Sequence, residues 1–135
     1  MKTLISIQAV YYVYAEFVKT SRVNKLPIQD TLSDKQLEKI FGIIKSATNT
    51  VFNKKLYPTI YHQTAFIIYQ LNKQHILFDG NKRFSLMLAT YILDIHNIKH
   101  TKMSTDDWEM LIMRVAADSN YSLDKTAKYI QKKLK

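Results

Sequence analysis

Nine consecutive residues, His75-Ile76-Leu77-Phe78-Asp79-Gly80-Asn81-Lys82-Arg83, bring together an imidazole, a carboxylate, an amide, two cations and one of the chain's two glycines. Directly after them comes Phe84-Ser85-Leu86-Met87-Leu88-Ala89-Thr90-Tyr91-Ile92-Leu93, which reads as a buried helix. Polar residues crowded into a turn at the mouth of an apolar helix predict an anion site built from backbone N–H groups and the positive end of the helix dipole. A histidine and a carboxylate beside that site point to chemistry on a phosphate, beyond simply holding one.

His75 stands where a helical run ends, so its imidazole reads either as a general base reaching into a cleft or as a surface cap on the helix C-terminus. His62, His96 and His100 do not converge with it into a metal-binding spacing and read as surface or capping residues. Asp79-Gly80-Asn81 is a turn signal, too short for a calcium loop, whose oxygen ligands spread over about 12 residues. The N–H groups from Gly80 to Arg83 would be the unpaired donors of the next helix. Lys82 and Arg83 place two cations against the dipole of that helix, an arrangement that needs an anion. Asp79 can neutralise one of them, or hold Mg²⁺ together with waters and phosphate oxygens.

The elements around this motif read as helices. Two Gly and two Pro in the whole chain leave little material for tight turns. Val10, Val13, Tyr14 and Phe17 form one helical stripe. Ser33-Asp34-Lys35-Gln36 is a capping box, followed by Leu37, Ile40, Phe41, Ile44, Ala47 and Val51 at spacings of three and four. Pro58 sits where a helix can begin, and Ile60, Thr64, Ile67, Ile68 and Leu71 continue its face. Ser104 caps a segment carrying Trp108, Leu111, Ile112 and Val115; Ser122 caps another with Leu123, Ala127, Ile130 and Leu134. With the helix after the motif, the expectation is an all-α, compact bundle of about six helices, the motif lying in the loop between two central ones. The segment from Val23 to Leu32, containing Leu26 and Pro27, is polar and aperiodic. It is expected to be a helix–helix connection or a short extended flap, and about ten residues is long for a plain connection.

Composition bounds the rest. The 135 residues make one domain, 1–135, large enough for a core without covalent staples. No cysteine occurs, so disulfides and thiolate metal sites are excluded and a cytoplasmic location is the expectation. Met1–Gln8 lacks the small-residue cleavage site of a secretory signal, and no apolar run approaches the roughly 20 residues of a membrane span. Twenty Lys and Arg against eleven Asp and Glu give a net charge of +9, which favours polyanionic partners or simply solubility. Lys125, Lys128, Lys132, Lys133 and Lys135 read as a solvated helix end rather than a recognition patch.

The motif resembles that of the Fic/Doc family, H-x-F-x-[DE]-G-N-[GK]-R, and matches it at His75, Asp79, Gly80, Asn81, Lys82 and Arg83. Lys82, where adenylylating Fic enzymes usually carry Gly, is the variant found in Doc (death-on-curing) toxins of toxin–antitoxin systems. The length, the helical reading, the Leu26-Pro27 loop before a capped helix and a last helix beginning after Tyr121 also fit small Doc toxins. The resemblance implies that His75 takes the proton of a target hydroxyl and that Asp79 ligates Mg²⁺ at the phosphates of ATP. It assigns Gly80, Asn81 and Lys82 to an anion hole of backbone and side-chain donors, and Arg83 to a nucleotide phosphate. It implies transfer of the γ-phosphate to a threonine of elongation factor Tu, halting translation, with the target segment docking as an extended strand at the Leu26-Pro27 flap. Two positions depart from the family. Leu77 replaces a core-facing Phe, and Phe84 replaces a small polar residue, a ring that either narrows the phosphate pocket or packs beneath it.

Larger Fic enzymes inhibit themselves with a helix reading [ST]-x-x-x-E-[GN]. The nearest match, Thr105-Asp106-Asp107-Trp108-Glu109-Met110, fails at Met110 and is better explained as a core helix. Restraint is therefore expected from an acidic antitoxin acting in trans. Two other functions compete with the Doc-type kinase. A Fic-type nucleotidyltransferase (AMPylation) is opposed by Lys82, whose side chain crowds the α-phosphate position. A basic, non-catalytic nucleic-acid-binding protein gains from the net charge, but no helix concentrates cations on one face.

Overall fold

The computed structural model describes residues 4–117 and 121–135. Six α-helices carry these residues: α1 (Ile7–Val23), α2 (Asp34–Ala47), α3 (Ile60–Lys73), α4 (Asn81–Ile95), α5 (Thr105–Ala117) and α6 (Leu123–Leu134). Hydroxyl side chains start five of them. Ser6, Ser33, Thr59 and Ser122 accept backbone N–H bonds at the first turns of α1, α2, α3 and α6, and Ser104 accepts from Asp107 at the start of α5. At α2 the capping box closes in both directions, with the Gln36 side chain accepting from the Ser33 N–H.

Packing puts the motif at the middle of the molecule. Val10, Val13 and Phe17 of α1, Ile40 and Ile44 of α2, Ile67 and Leu71 of α3, and Phe84, Leu88 and Ile92 of α4 share one apolar core. Ala65 and Ile68 of α3 and Ala89 and Leu93 of α4 turn the other way, into a second core with Trp108, Leu111 and Ile112 of α5 and Ala127, Ile130 and Leu134 of α6. Helices α3 and α4 are thus apolar on two faces and form the central pair. The loop joining them is the motif. Anchored between two cores, its ends have little freedom to move.

Two expectations are corrected. The α2 stripe stops at Ala47, and Val51 belongs to a small antiparallel hairpin, β1 (Thr50–Val51) paired with β2 (Lys54–Lys55). Its two-residue turn, Phe52-Asn53, has φ of 52° and 63°, the left-handed conformation a tight hairpin requires. Without the Asn-Gly or Asp-Gly pair that usually marks such turns, the hairpin was invisible in the sequence. Pro58 does not begin a helix; Thr59 is the cap and α3 starts at Ile60. The Leu26-Pro27 segment carries no strand, in keeping with the helix–helix connection that the sequence allows as one of its two readings. It is a loop tied down by the Tyr14 hydroxyl donating to the Gln29 carbonyl at 2.6 Å and by paired amides of Gln29 and Gln36. A turn of 3-10 helix, His100–Lys102, also leads into α5, where the Trp108 indole N–H donates to the His100 carbonyl.

Thr105–Met110 forms the first turns of α5, with Trp108 buried in the second core and Met110 turned outward. Among the described residues, no helix is long and apolar enough to cross a membrane.

Candidate functional site

The motif loop begins with a strained residue. After α3 ends at Lys73, His75 adopts φ 49°, the left-handed position that commonly terminates helices and is usually filled by glycine. That turn reverses the chain, and the exposed His75 lines a cleft of about 410 Å³. Ile76 and Leu77 then point inward, 8% and 2% exposed. Leu77 occupies the core position, so replacing the family's Phe is a packing change only.

Asn81 holds the loop in shape. Its Oδ1 accepts from the Leu77 N–H at 2.9 Å and its Nδ2 donates to the Leu77 carbonyl at 2.8 Å. Both ends of the buried amide are therefore spent on the loop backbone. One of the two side-chain N–H donors is engaged here, which leaves Asn81 its second side-chain N–H and its backbone N–H as donors toward an anion.

Gly80 is required twice over. Its φ is +84°, and a Cβ there would lie 2.8 Å from both the Phe17 ring and the Arg83 guanidinium. Arg83 folds back over this glycine: its Nη1 donates to the Ser21 hydroxyl at 3.0 Å, and its guanidinium carbon sits 5.3 Å from the centre of the Phe17 ring. Beneath it, Phe84 is 1% exposed and packs with Tyr14 and Phe17 at ring separations of 5.6 and 5.5 Å. The bulky ring lies under the pocket rather than in it. Sequence reasoning missed Ser21, although its place one turn beyond Phe17 on the apolar stripe of α1 marks a polar residue with a buried partner.

The start of α4 differs from the other five. Gly80 is its N-cap and supplies no side-chain bond. The first bond within α4 is Phe84 N–H to the Gly80 carbonyl, so the N–H groups of Asn81, Lys82 and Arg83 have no backbone acceptor among the described residues. Three open donors, a helix dipole and two cations converge on one side of the cleft. Asp79 faces it too. One carboxylate oxygen accepts from the Gly80 N–H at 2.8 Å, and the other makes no hydrogen bond among the described residues. Asn72 and Ala116 close the cleft from α3 and α5. Asn72 is fixed by donating to the Ile68 carbonyl and to Ser85.

His75, Asp79, Gly80, Asn81, Lys82 and Arg83 thus line one cavity. Leu26 and Pro27 do not. Pro27 lines a second groove of about 370 Å³ on the other side of the motif loop, and Leu26 a third of about 350 Å³ between α1, α4 and α5. The remaining histidines have local partners: His62 bonds Thr59 and Asp124, His96 the Leu4 carbonyl, and His100 the Asp94 carboxylate. Among the described residues no cluster of three or more His, Asp or Glu is placed to hold a metal ion. The residues present still fit Mg²⁺, which is commonly held by one or two carboxylates with phosphate oxygens and waters completing its shell. Asp79, with one oxygen uncommitted, is the group that would hold it.

No curated protein and no solved structure gives a significant match to the chain. A family model described as "Fic/DOC family" matches residues 4–93. That span runs from just before α1 to near the end of α4, and takes in the motif loop, its Phe17 and Ser21 supports and the Leu26-Pro27 segment. By this match over most of its length, the chain belongs to the Fic/DOC family.

Proposed function

We propose that this protein is a Doc-type kinase that transfers the γ-phosphate of ATP to a hydroxyl of a target protein, elongation factor Tu being the target the motif implies. The observation that carries this reading is the uncapped start of α4, facing a cleft that also holds an imidazole and a carboxylate. Backbone N–H groups of Asn81, Lys82 and Arg83 bind the transferring phosphate and stabilise the charge that spreads over its oxygens. His75 accepts the proton of the attacking hydroxyl. The oxygen bonds to the γ-phosphorus, the bond from phosphorus to the β-phosphate oxygen breaks, and ADP leaves. Arg83, oriented by Ser21 and Phe17, binds a second phosphate. Mg²⁺ held through Asp79 would supply charge neutralisation at the phosphates.

Lys82 favours phosphoryl over nucleotidyl transfer. A long side chain stands where adenylylating relatives have glycine, and it crowds the space an α-phosphate and its ribose require. Incubating the protein with elongation factor Tu and either γ-labelled or α-labelled ATP tests the choice: label from the γ position supports the kinase, and label from the α position alone overturns it for nucleotidyl transfer.

Restraint by an acidic antitoxin belongs to the same proposal. The net charge of +9 favours an anionic partner, and Thr105–Met110, the nearest match to a self-inhibiting helix, fails at Met110 and packs Trp108 into the second core. Expression alone in bacteria is expected to arrest growth and co-expression of an acidic antitoxin to relieve it. Harmless expression of the unpartnered chain would count for a degenerate motif and a binding protein instead.

A further inference from the structure

Two clefts meet at the motif loop, and among the described residues only Phe78 and Asp79 line both. The first is the cleft of His75 and the α4 N-terminus. The second, about 370 Å³, is walled by Tyr14, Pro27, Ile28, Gln29 and Leu77. At their common lip Phe78 is 89% exposed, while its neighbours Ile76 and Leu77 are buried. A three-residue apolar run that places its last ring in water is not explained by the core.

Charge separates what the clefts can hold. Lys82 and Arg83 line the first and not the second. The second has an apolar wall, and its one charged group is the Asp79 carboxylate, which repels phosphate. A polyphosphate therefore belongs in the first cleft and an uncharged chain in the second. A hydroxyl carried by that chain reaches the phosphate across the lip, where the exposed Phe78 ring borders the residues on either side of it.

We propose that Phe78 forms a recognition subsite for an apolar side chain immediately flanking the acceptor hydroxyl of an extended target segment lying in the Pro27–Ile28 groove. The inference rests on the transferase reading above. Burying the exposed ring against an aliphatic or aromatic partner provides the attraction, and Asp79 at the same lip disfavours an acidic neighbour.

The test uses the full-length protein, ATP labelled at the γ or the α position, and a peptide library with a central Thr or Ser and fixed neighbours. Wild type is expected to label peptides with Leu, Val or Phe beside the hydroxyl about tenfold better than those with Gly or Asp. Phe78→Ala should erase that preference by raising KM for the peptide, with ATP affinity unchanged; Phe78→Leu should keep part of it. A preference that survives in Phe78→Ala overturns the subsite. So does a variant that loses ATP affinity and not peptide affinity, since the ring then stacks on the nucleotide base. Indiscriminate labelling by wild type overturns the subsite and spares the transferase reading, whereas no labelling of any peptide or of elongation factor Tu removes both.

Discussion

Asn81 returns both ends of its amide to the backbone of Leu77, four residues earlier, and so closes the motif loop on itself. The loop is a clamped ring whose shape fixes where His75 and Asp79 emerge. Asn81→Ala leaves a buried N–H and a buried carbonyl unpaired, each worth about 1–3 kcal/mol. The expected result in denaturant titration is a loss of about 2 kcal/mol or more, with transfer activity falling further than stability alone explains. Asn81→Asp keeps the acceptor but sets a buried carboxylate against the Leu77 carbonyl, and should not rescue the loss.

Gly80→Ala is expected to be worse than its size implies. The left-handed backbone costs a residue with a Cβ about 1–2 kcal/mol. The new methyl also meets the buried Phe17 ring, which has no room to withdraw, and the Arg83 guanidinium, which has. Displacement of Arg83 should therefore weaken nucleotide binding, measurable by calorimetry.

Arg83→Ala should weaken ATP binding by about 1.5–3 kcal/mol, the scale of hydrogen bonds to a charged group. Ser21→Ala removes only the orienting hydroxyl and should cost less. Unchanged ATP affinity in Arg83→Ala would remove the phosphate role from this residue.

Much of this was legible because the signals were local. The helices could be read from apolar spacing and from Ser33, Ser104 and Ser122 as caps, and the motif from its residue types. What stayed hidden depends on three-dimensional return of the chain. Ser21 meets Arg83 across 62 positions, and the Tyr14 hydroxyl pins the flap only once α1 has packed beside it. The Phe52-Asn53 turn adopts left-handed backbone at residues that do not advertise it. The resemblance assigns Asn81 to the anion hole; its part in clamping the Leu77 backbone depends on the depth of the loop and cannot be seen in the residue type.

Away from the site, the Asp124 carboxylate is held below its ordinary value by hydrogen bonds first from Lys128 and then from His62. A depressed folded-state pKa means that its contribution to stability is present above the ordinary value of 3.8 and is lost as pH falls through and below it. Asp124→Asn should lower the melting temperature at neutral pH, and the difference from wild type should close only as the pH falls below 3.8 and through the lowered folded-state value. A gap that persists in acid would trace the effect to the shape of the α6 start.

The most direct measurement is the rate of γ-phosphate transfer to elongation factor Tu by wild type and by His75→Ala, taken with ATP affinity and melting temperature for both. His75 is exposed and its side chain holds no hydrogen bond among the described residues, so the fold does not depend on it. Loss of a general base lowers the rate by about 10²–10⁴. The account predicts that fall with ATP binding and melting temperature unchanged. Transfer persisting near the wild-type rate in His75→Ala would contradict it, leaving His75 as no more than the turn that ends α3.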